Sequence, residues 1–180
     1  MSGPSRAETG RLVDSLLRDV PDFPEPGVLF KDITPLIADG AALAQVGRAM
    51  ADPYREAGIT AVVGLEARGF IFGTAVALEL GVGFVPIRKA GKLPAGTIAL
   101  DYALEYGSAR IEIHEDAVGP GQRVLVIDDV LATGGTAAAA VDLIEQVGAE
   151  VAAVEVVVEI SVLDGRSRLA GREVGALLTV

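Results

Sequence analysis

The chain has 180 residues, 51% of them apolar and only 4% aromatic, with a net charge of −10. That length fits one domain, residues 1–180, with room for a full core. The absence of cysteine excludes disulfides, thiolate metal sites and thiol nucleophiles, and the acidic balance argues against nucleic-acid binding, which needs a basic stripe.

The opening Met-Ser-Gly-Pro-Ser lacks the charged and apolar regions of an export signal, and Glu155 and Glu159 interrupt the apolar run from Val151. A cytoplasmic protein without a membrane span is therefore expected. Ser5 with Glu8 forms a capping box before an amphipathic helix whose apolar face carries Leu12, Val13, Leu16, Leu17 and Val20. Residues 21–35 are too rich in proline for regular helix and read as an ordered loop or short edge strand. A second helix is predicted over residues 41–57, behind Asp39 and stopped by Gly58. A strand over 60–65, a turn over 66–69 and a helix over 70–80 closed by Gly81 follow, then a strand over 83–88. Residues 97–104 and 109–114 read as a hairpin with Gly107 between its arms. After Gly119-Pro120-Gly121 come a buried strand, a helix over 136–147, a β-rich run over 151–160 and a last strand near 175–180. Alternating strands and helices predict an α/β fold, a mostly parallel twisted sheet with helices on both faces. No repeat, low-complexity tract or dividing linker interrupts it.

Residues 124–136, VLVIDDVLATGGT, carry the most chemistry. Val124 to Ile127 suit a parallel strand covered on both faces. Asp128 and Asp129 fall where such a strand leaves the sheet, the usual place for ligand groups in open α/β folds. Gly134 and Gly135 allow a tight turn with bare N–H groups, Thr133 and Thr136 add hydroxyls, and the following helix offers its positive end to a phosphate. The aspartates suit hydroxyls or a metal, so the ligand should carry both a sugar diol and a phosphate. Glu66-Ala67-Arg68-Gly69 is a second loop leaving a strand for a helix, and two such loops side by side line one crevice. Arg68 is there either a surface cation or a bidentate anion contact. Arg88, Lys89 and Lys92 form the densest basic patch of the chain, suited to capturing a multiply charged anion. Rival signatures are missing. GVGFVP at Gly81 has only two glycines of a dinucleotide fingerprint, no Gly-Lys-Ser/Thr loop exists, and the lone His114 reads as a surface residue.

The 124–136 stretch resembles the signature of the type I phosphoribosyltransferases, which bind 5-phosphoribosyl 1-diphosphate. Four other strings narrow the resemblance to the adenine branch of that family: DFPEPGVLFKDITPL, LEARGFIFG, RKAGKLP and, at 104–107, LEYG. Together they spread over about three quarters of the chain. The resemblance implies that Asp128 and Asp129 hold the ribose hydroxyls while Ala132, Thr133, Gly134, Gly135 and Thr136 cradle the 5′-phosphate. It implies a cis peptide at Glu66–Ala67 that frees backbone N–H groups, and diphosphate contacts from Arg68, Arg88, Lys89 and Lys92. Where many relatives carry a further basic residue, this chain has Ala90. Glu105 would reach a purine ring nitrogen, with Tyr106 beside it, on a flexible β-hairpin lid (roughly 93–114). An N-terminal hood (roughly 1–36) would cover adenine, with Phe30 stacking on it and backbone groups of Leu29 and Lys31 reading its amino edge; taken alone, Phe30 could equally be core. The implied reaction is purine salvage, joining adenine to 5-phosphoribosyl 1-diphosphate to give AMP and diphosphate, with Glu105, Asp128 and Asp129 as catalytic residues. Mg2+ would be chelated by the substrate instead of the protein, and the chain would form a homodimer. A sister enzyme for guanine, xanthine or orotate fits the hood and LEYG less well. A non-catalytic sensor of the same diphosphate should carry an extra DNA-binding segment or basic face.

Overall fold

The computed structural model describes residues 3–103 and 107–180. Helix α1 (Arg6–Leu16) starts at Ser5, whose hydroxyl and Glu8 exchange the two bonds of the predicted capping box. It stops one turn earlier than its apolar face suggested. Leu17 is already extended, and Val20 lies in strand β1 (Arg18–Pro21). Pro21 explains this, because the residue ahead of a proline is pushed out of helical geometry. Strand β2 (Leu29–Asp32) pairs antiparallel with β1, setting Val20 opposite Phe30. Helix α2 (Thr34–Ala38) accommodates Pro35 in its first turn, where no N–H is needed. Helix α3 (Gly40–Ala51) is capped by the Asp39 carboxylate, which accepts from the amides of Ala41 and Ala42. It ends before the predicted residue 57, and a single 3-10 turn (Asp52–Tyr54) replaces the last stretch because Pro53 lacks an amide donor.

Strand β3 (Ala61–Leu65), helix α4 (Gly69–Leu80) and strand β4 (Gly83–Lys89) follow as predicted. The hairpin arms are β5 (Thr97–Ala103) and β6 (Ser108–His114). Strand β7 (Arg123–Leu131), helix α5 (Gly135–Gln146), strand β8 (Glu150–Glu159) and strand β9 (Val174–Thr179) complete the order. Two 3-10 turns, Ser161–Leu163 and Gly165–Leu169, fill a stretch with no predicted structure. Among the described residues seven strands make one sheet, in the order β5-β6-β4-β3-β7-β8-β9. The five from β4 to β9 run parallel to their neighbours, and β6 joins β4 antiparallel through Arg88–Glu112 and Lys89–Ile111. The hairpin therefore extends the main sheet.

Alternation along the central strands divides the core. Val63, Leu65, Val124 and Val126 pack with α5 on one face, while Val62, Leu125 and Ile127 pack with α1, α3 and α4 on the other. Helix α1 is tied to this second layer by charge. The Arg6 guanidinium pairs with the fully buried Glu155 of β8 and donates to the Ala49 carbonyl at 3.0 Å, and the Tyr54 hydroxyl donates to Glu155 at 2.9 Å. Burial pushes the Glu155 carboxyl above its usual range against the pull of Arg6. On the outer face of α4, Ile71 and Leu78 remain exposed, the latter at 79%.

Candidate active site

Strands β3 and β7 are parallel neighbours in matched register, Ala61 opposite Val124 through Gly64 opposite Ile127. Their C-terminal ends therefore open on one edge, and the loops that leave them lie side by side. A cleft of about 810 Å³ occupies this edge. One wall is the ribbon from Gly27 to Lys31. The floor carries Glu66, Ala67 and Arg68 with Asp128 and Asp129, and the far wall carries Ile160, Val162 and Leu163. Thr136 and Ala132 connect it to a recess of about 90 Å³ lined by residues 130–137.

The acidic pair is tightly held. Asp129 is only 5% exposed and forms an ion pair with the Arg68 guanidinium. Asp128 accepts the Asp129 amide at 2.9 Å. Burial, reinforced by the neighbouring Asp129 charge, drives the Asp128 carboxyl well above the ordinary carboxylate range, with Arg68 opposing. Gly69 permits this proximity: a Cβ there would lie 2.8 Å from the Ile127 carbonyl oxygen and 2.9 Å from Asp128 Oδ1.

The recess is a helix terminus without a side-chain cap. Gly134 adopts a left-handed φ of 78° and α5 begins at the next residue, so the first-turn amides have no side-chain acceptor. Such amides, with the positive end of the helix dipole, suit a phosphate. The loop is braced from outside. A Cβ on Gly134 would come within 2.2 Å of the Gly165 carbonyl oxygen, and one on Gly165 within 2.1 Å of the Ala132 carbonyl oxygen. The two backbones thus touch through a pair of residues without side chains.

The bond Glu66–Ala67 is cis, as the resemblance implies. Glu66 accepts the Lys89 amide at 2.9 Å and the Arg88 guanidinium at 3.2 and 3.3 Å. Burial raises its carboxyl, but these donors outweigh it and hold the group below its usual value. Arg88 also donates to the Lys92 carbonyl at 3.0 Å, so in the free protein its guanidinium braces the basic loop. Lys89 and Lys92 are exposed.

Phe30 lies on the cleft wall, half-buried. Its ring meets Phe23 edge-on at 5.2 Å, and the Arg68 guanidinium sits 5.7 Å from its centre. Leu29 is 53% exposed, and the Lys31 ammonium bonds Asp19 at 2.6 Å. Glu105 and Tyr106 lie outside the described residues. His114 departs from its surface reading: it is half-buried, and among the described residues its Nε2 has no partner. Sequence reasoning also missed Ile160, Val162, Leu163 and Gly165, although the segment leaves β8 at the same sheet edge as the other two loops. It missed Tyr102 as well, whose hydroxyl lies 3.2 Å from that of Thr136.

A sequence model of the phosphoribosyl transferase domain family matches residues 36–172. The adenine phosphoribosyltransferase of Thermobifida fusca is 56% identical over 173 residues, 96% of this chain and 98% of that protein. The crystal structure of adenine phosphoribosyltransferase from Thermoanaerobacter pseudethanolicus superposes with a TM-score of 0.91 at 44% identity, covering 94% of this chain and 99% of that one. The Saccharomyces cerevisiae enzyme, complexed with an imino-altritol bisphosphate and adenine, gives 0.89 at 40% identity over 95% and 99% of the two chains. With its acids, bare helix end and basic loop on one sheet edge, the chain belongs to the phosphoribosyl transferase family, in its adenine phosphoribosyltransferase branch.

Proposed function

We propose that this protein transfers the 5-phosphoribosyl group of 5-phosphoribosyl 1-diphosphate to adenine, releasing AMP and diphosphate in purine salvage. One observation carries the reading. An uncapped helix end, an acid pair and an aromatic wall line one cleft and its connected recess, in the order that phosphate, ribose and base have in a nucleotide. The first-turn amides of α5, with Ala132, Thr133, Gly134, Gly135 and Thr136, take the 5′-phosphate. Asp128 and Asp129 accept from the ribose hydroxyls. The purine lies on Phe30 under the hood, facing Ile160 to Leu163, where backbone groups of Leu29 and Lys31 read its amino edge. A pocket of this kind rejects the wrong base by leaving buried groups unpaired.

The chemistry is positioning and electrostatics. The bond from ribose C1 to the diphosphate oxygen breaks as positive charge develops on the sugar and negative charge on the leaving group. Asp128 and Asp129 lie beside the first charge. Ribose hydroxyls take over Asp129, which frees Arg68 to turn to the second charge, joined there by Lys89, Lys92 and Arg88. The family resemblance gives Glu105 the proton on the purine ring. The β5–β6 hairpin covers the site as a lid, keeping water from the sugar diphosphate. Among the described residues no three carboxylates or imidazoles converge into a metal cage. Glu66, Asp128 and Asp129 beside the cleft would suit magnesium carried in by the diphosphate, which when bound would neutralise charge on the leaving group.

The working state is a homodimer in the cytoplasm, the pairing supported by the exposed Ile71 and Leu78 on the outer face of α4. Among the described residues no helix is long and apolar enough to cross a membrane. Incubation with adenine, 5-phosphoribosyl 1-diphosphate and magnesium should yield AMP, with hypoxanthine and guanine as controls. No AMP, or faster turnover of either control base, overturns the assignment.

A further inference from the structure

Tyr102 has no part in the scheme above, yet its phenol stands between the two anion loops. It projects from β5, half-buried against the α5 side of the core. Its hydroxyl lies 3.2 Å from the hydroxyl of Thr136, the second residue of α5. A small cavity of about 70 Å³ brings the same phenol together with Glu66 and Arg88 of the diphosphate side and Thr136 of the phosphate side.

A threonine hydroxyl in the first turn of a helix has competing uses. It can rotate back onto a preceding main-chain carbonyl, which removes its proton from any ligand. A phenol that donates to Thr136 Oγ1 fills the oxygen's acceptor position and leaves the threonine proton to point elsewhere. The adjoining recess, lined by Thr136 itself and the uncapped start of α5, is the direction in which that proton meets an anion. An anion there fixes the sense of the chain: tyrosine donates to threonine and threonine donates to the anion, each bond strengthening the other. The phenol is also rooted in the hairpin, since Tyr102 pairs with Ala109 on β6, and β6 pairs with Arg88 and Lys89 on β4.

We propose that Tyr102 is a positioning residue for the 5′-phosphate. It aims the Thr136 hydroxyl at the phosphate and ties the β5–β6 hairpin to the filling of the phosphate loop. This rests on the function proposed above. The test is calorimetric titration of the full chain with AMP and with adenosine, which lacks the phosphate. Tyr102→Phe should weaken AMP about three- to tenfold, the range of one hydrogen bond, and leave adenosine unchanged. In a Thr136→Val background, adding Tyr102→Phe should weaken AMP no further. Unchanged AMP affinity in Tyr102→Phe, an equal loss for adenosine, or losses that add in the double variant would each overturn the role. Failure of the unmodified protein to bind AMP would instead sink the proposed function itself.

Discussion

Gly165 offers a test of how tightly the phosphate loop is registered. Its backbone does not occupy the left-handed region, so alanine brings no conformational strain of its own. The whole effect of Gly165→Ala must come from collision with the phosphate loop, where the Ala132 carbonyl oxygen lies 2.1 Å and the Gly134 amide nitrogen 2.9 Å from where the new Cβ would be. Carbon and oxygen that are not bonded stay at least 3.0 Å apart, so the two loops must part by nearly 1 Å. Overpacking of this kind costs about 1–3 kcal/mol of stability, or a few degrees in Tm for a chain of this size. The catalytic cost should be larger in proportion, because a displacement near 1 Å at a site that works by positioning lowers turnover by about 100-fold, equivalent to about 2.7 kcal/mol of transition-state stabilisation. Steady-state AMP formation and thermal unfolding, measured on the same preparation, check both figures. Gly134→Ala should be worse, since it adds a left-handed φ of 78° to a 2.2 Å collision. A Gly165→Ala protein with kcat/KM within about twofold of the original and an unchanged Tm would show that the loops separate freely, refuting the bracing argument.

Asp129→Asn should fold normally, because the released Arg68 is 42% exposed and can hydrate, yet lose about 100-fold in kcat; original rates would contradict the ribose role. Phe30→Ala should raise the KM for adenine about tenfold by removing the stacking face while leaving that for 5-phosphoribosyl 1-diphosphate alone; an equal rise in both would place Phe30 outside the base site. Burial holds the Glu155 proton to higher pH than in the unfolded chain, so this group makes stability fall as pH rises from about 4.5 through its folded value, and stay level above it. The Tm of Glu155→Gln, followed across that range, should therefore gain on that of the unmodified protein as pH rises. A gap that widens in the other direction refutes the assignment.

Much of this site could be read directly from the chain because it lies in short continuous stretches. In residues 124–136, strand, acid pair, turn and helix start follow in order, and each obeys a local rule of propensity or capping. The cis bond at Glu66–Ala67 has no such rule, and only the family resemblance pointed to it. What escaped depends on contacts between distant segments. Nothing around Gly165 announces that its missing side chain makes room for Ala132. Tyr102 looks like any strand aromatic until α5 is packed beside it. The basic patch was legible as charge, but its division into a bracing Arg88 and two exposed lysines follows from Glu66, more than twenty residues earlier. Helix ends slipped where prolines intervened: Pro21 and Pro53 cut short two apolar patterns that periodicity alone would have continued.

The Arg6–Glu155 pair has a bearing on how the molecule is assembled. Helix α1 leads directly into the ribbon bearing Phe30, and it rests on a surface completed only by β8 and β9: a Cβ on Gly10 would meet the Leu177 carbonyl oxygen at 2.5 Å. Helix α1 consequently seats fully only against strands that follow it by more than a hundred residues. The stretch from Glu155 to Leu177 thus serves both ends of the cleft, seating the helix that leads to the purine-facing wall and, through Gly165, bracing the phosphate loop.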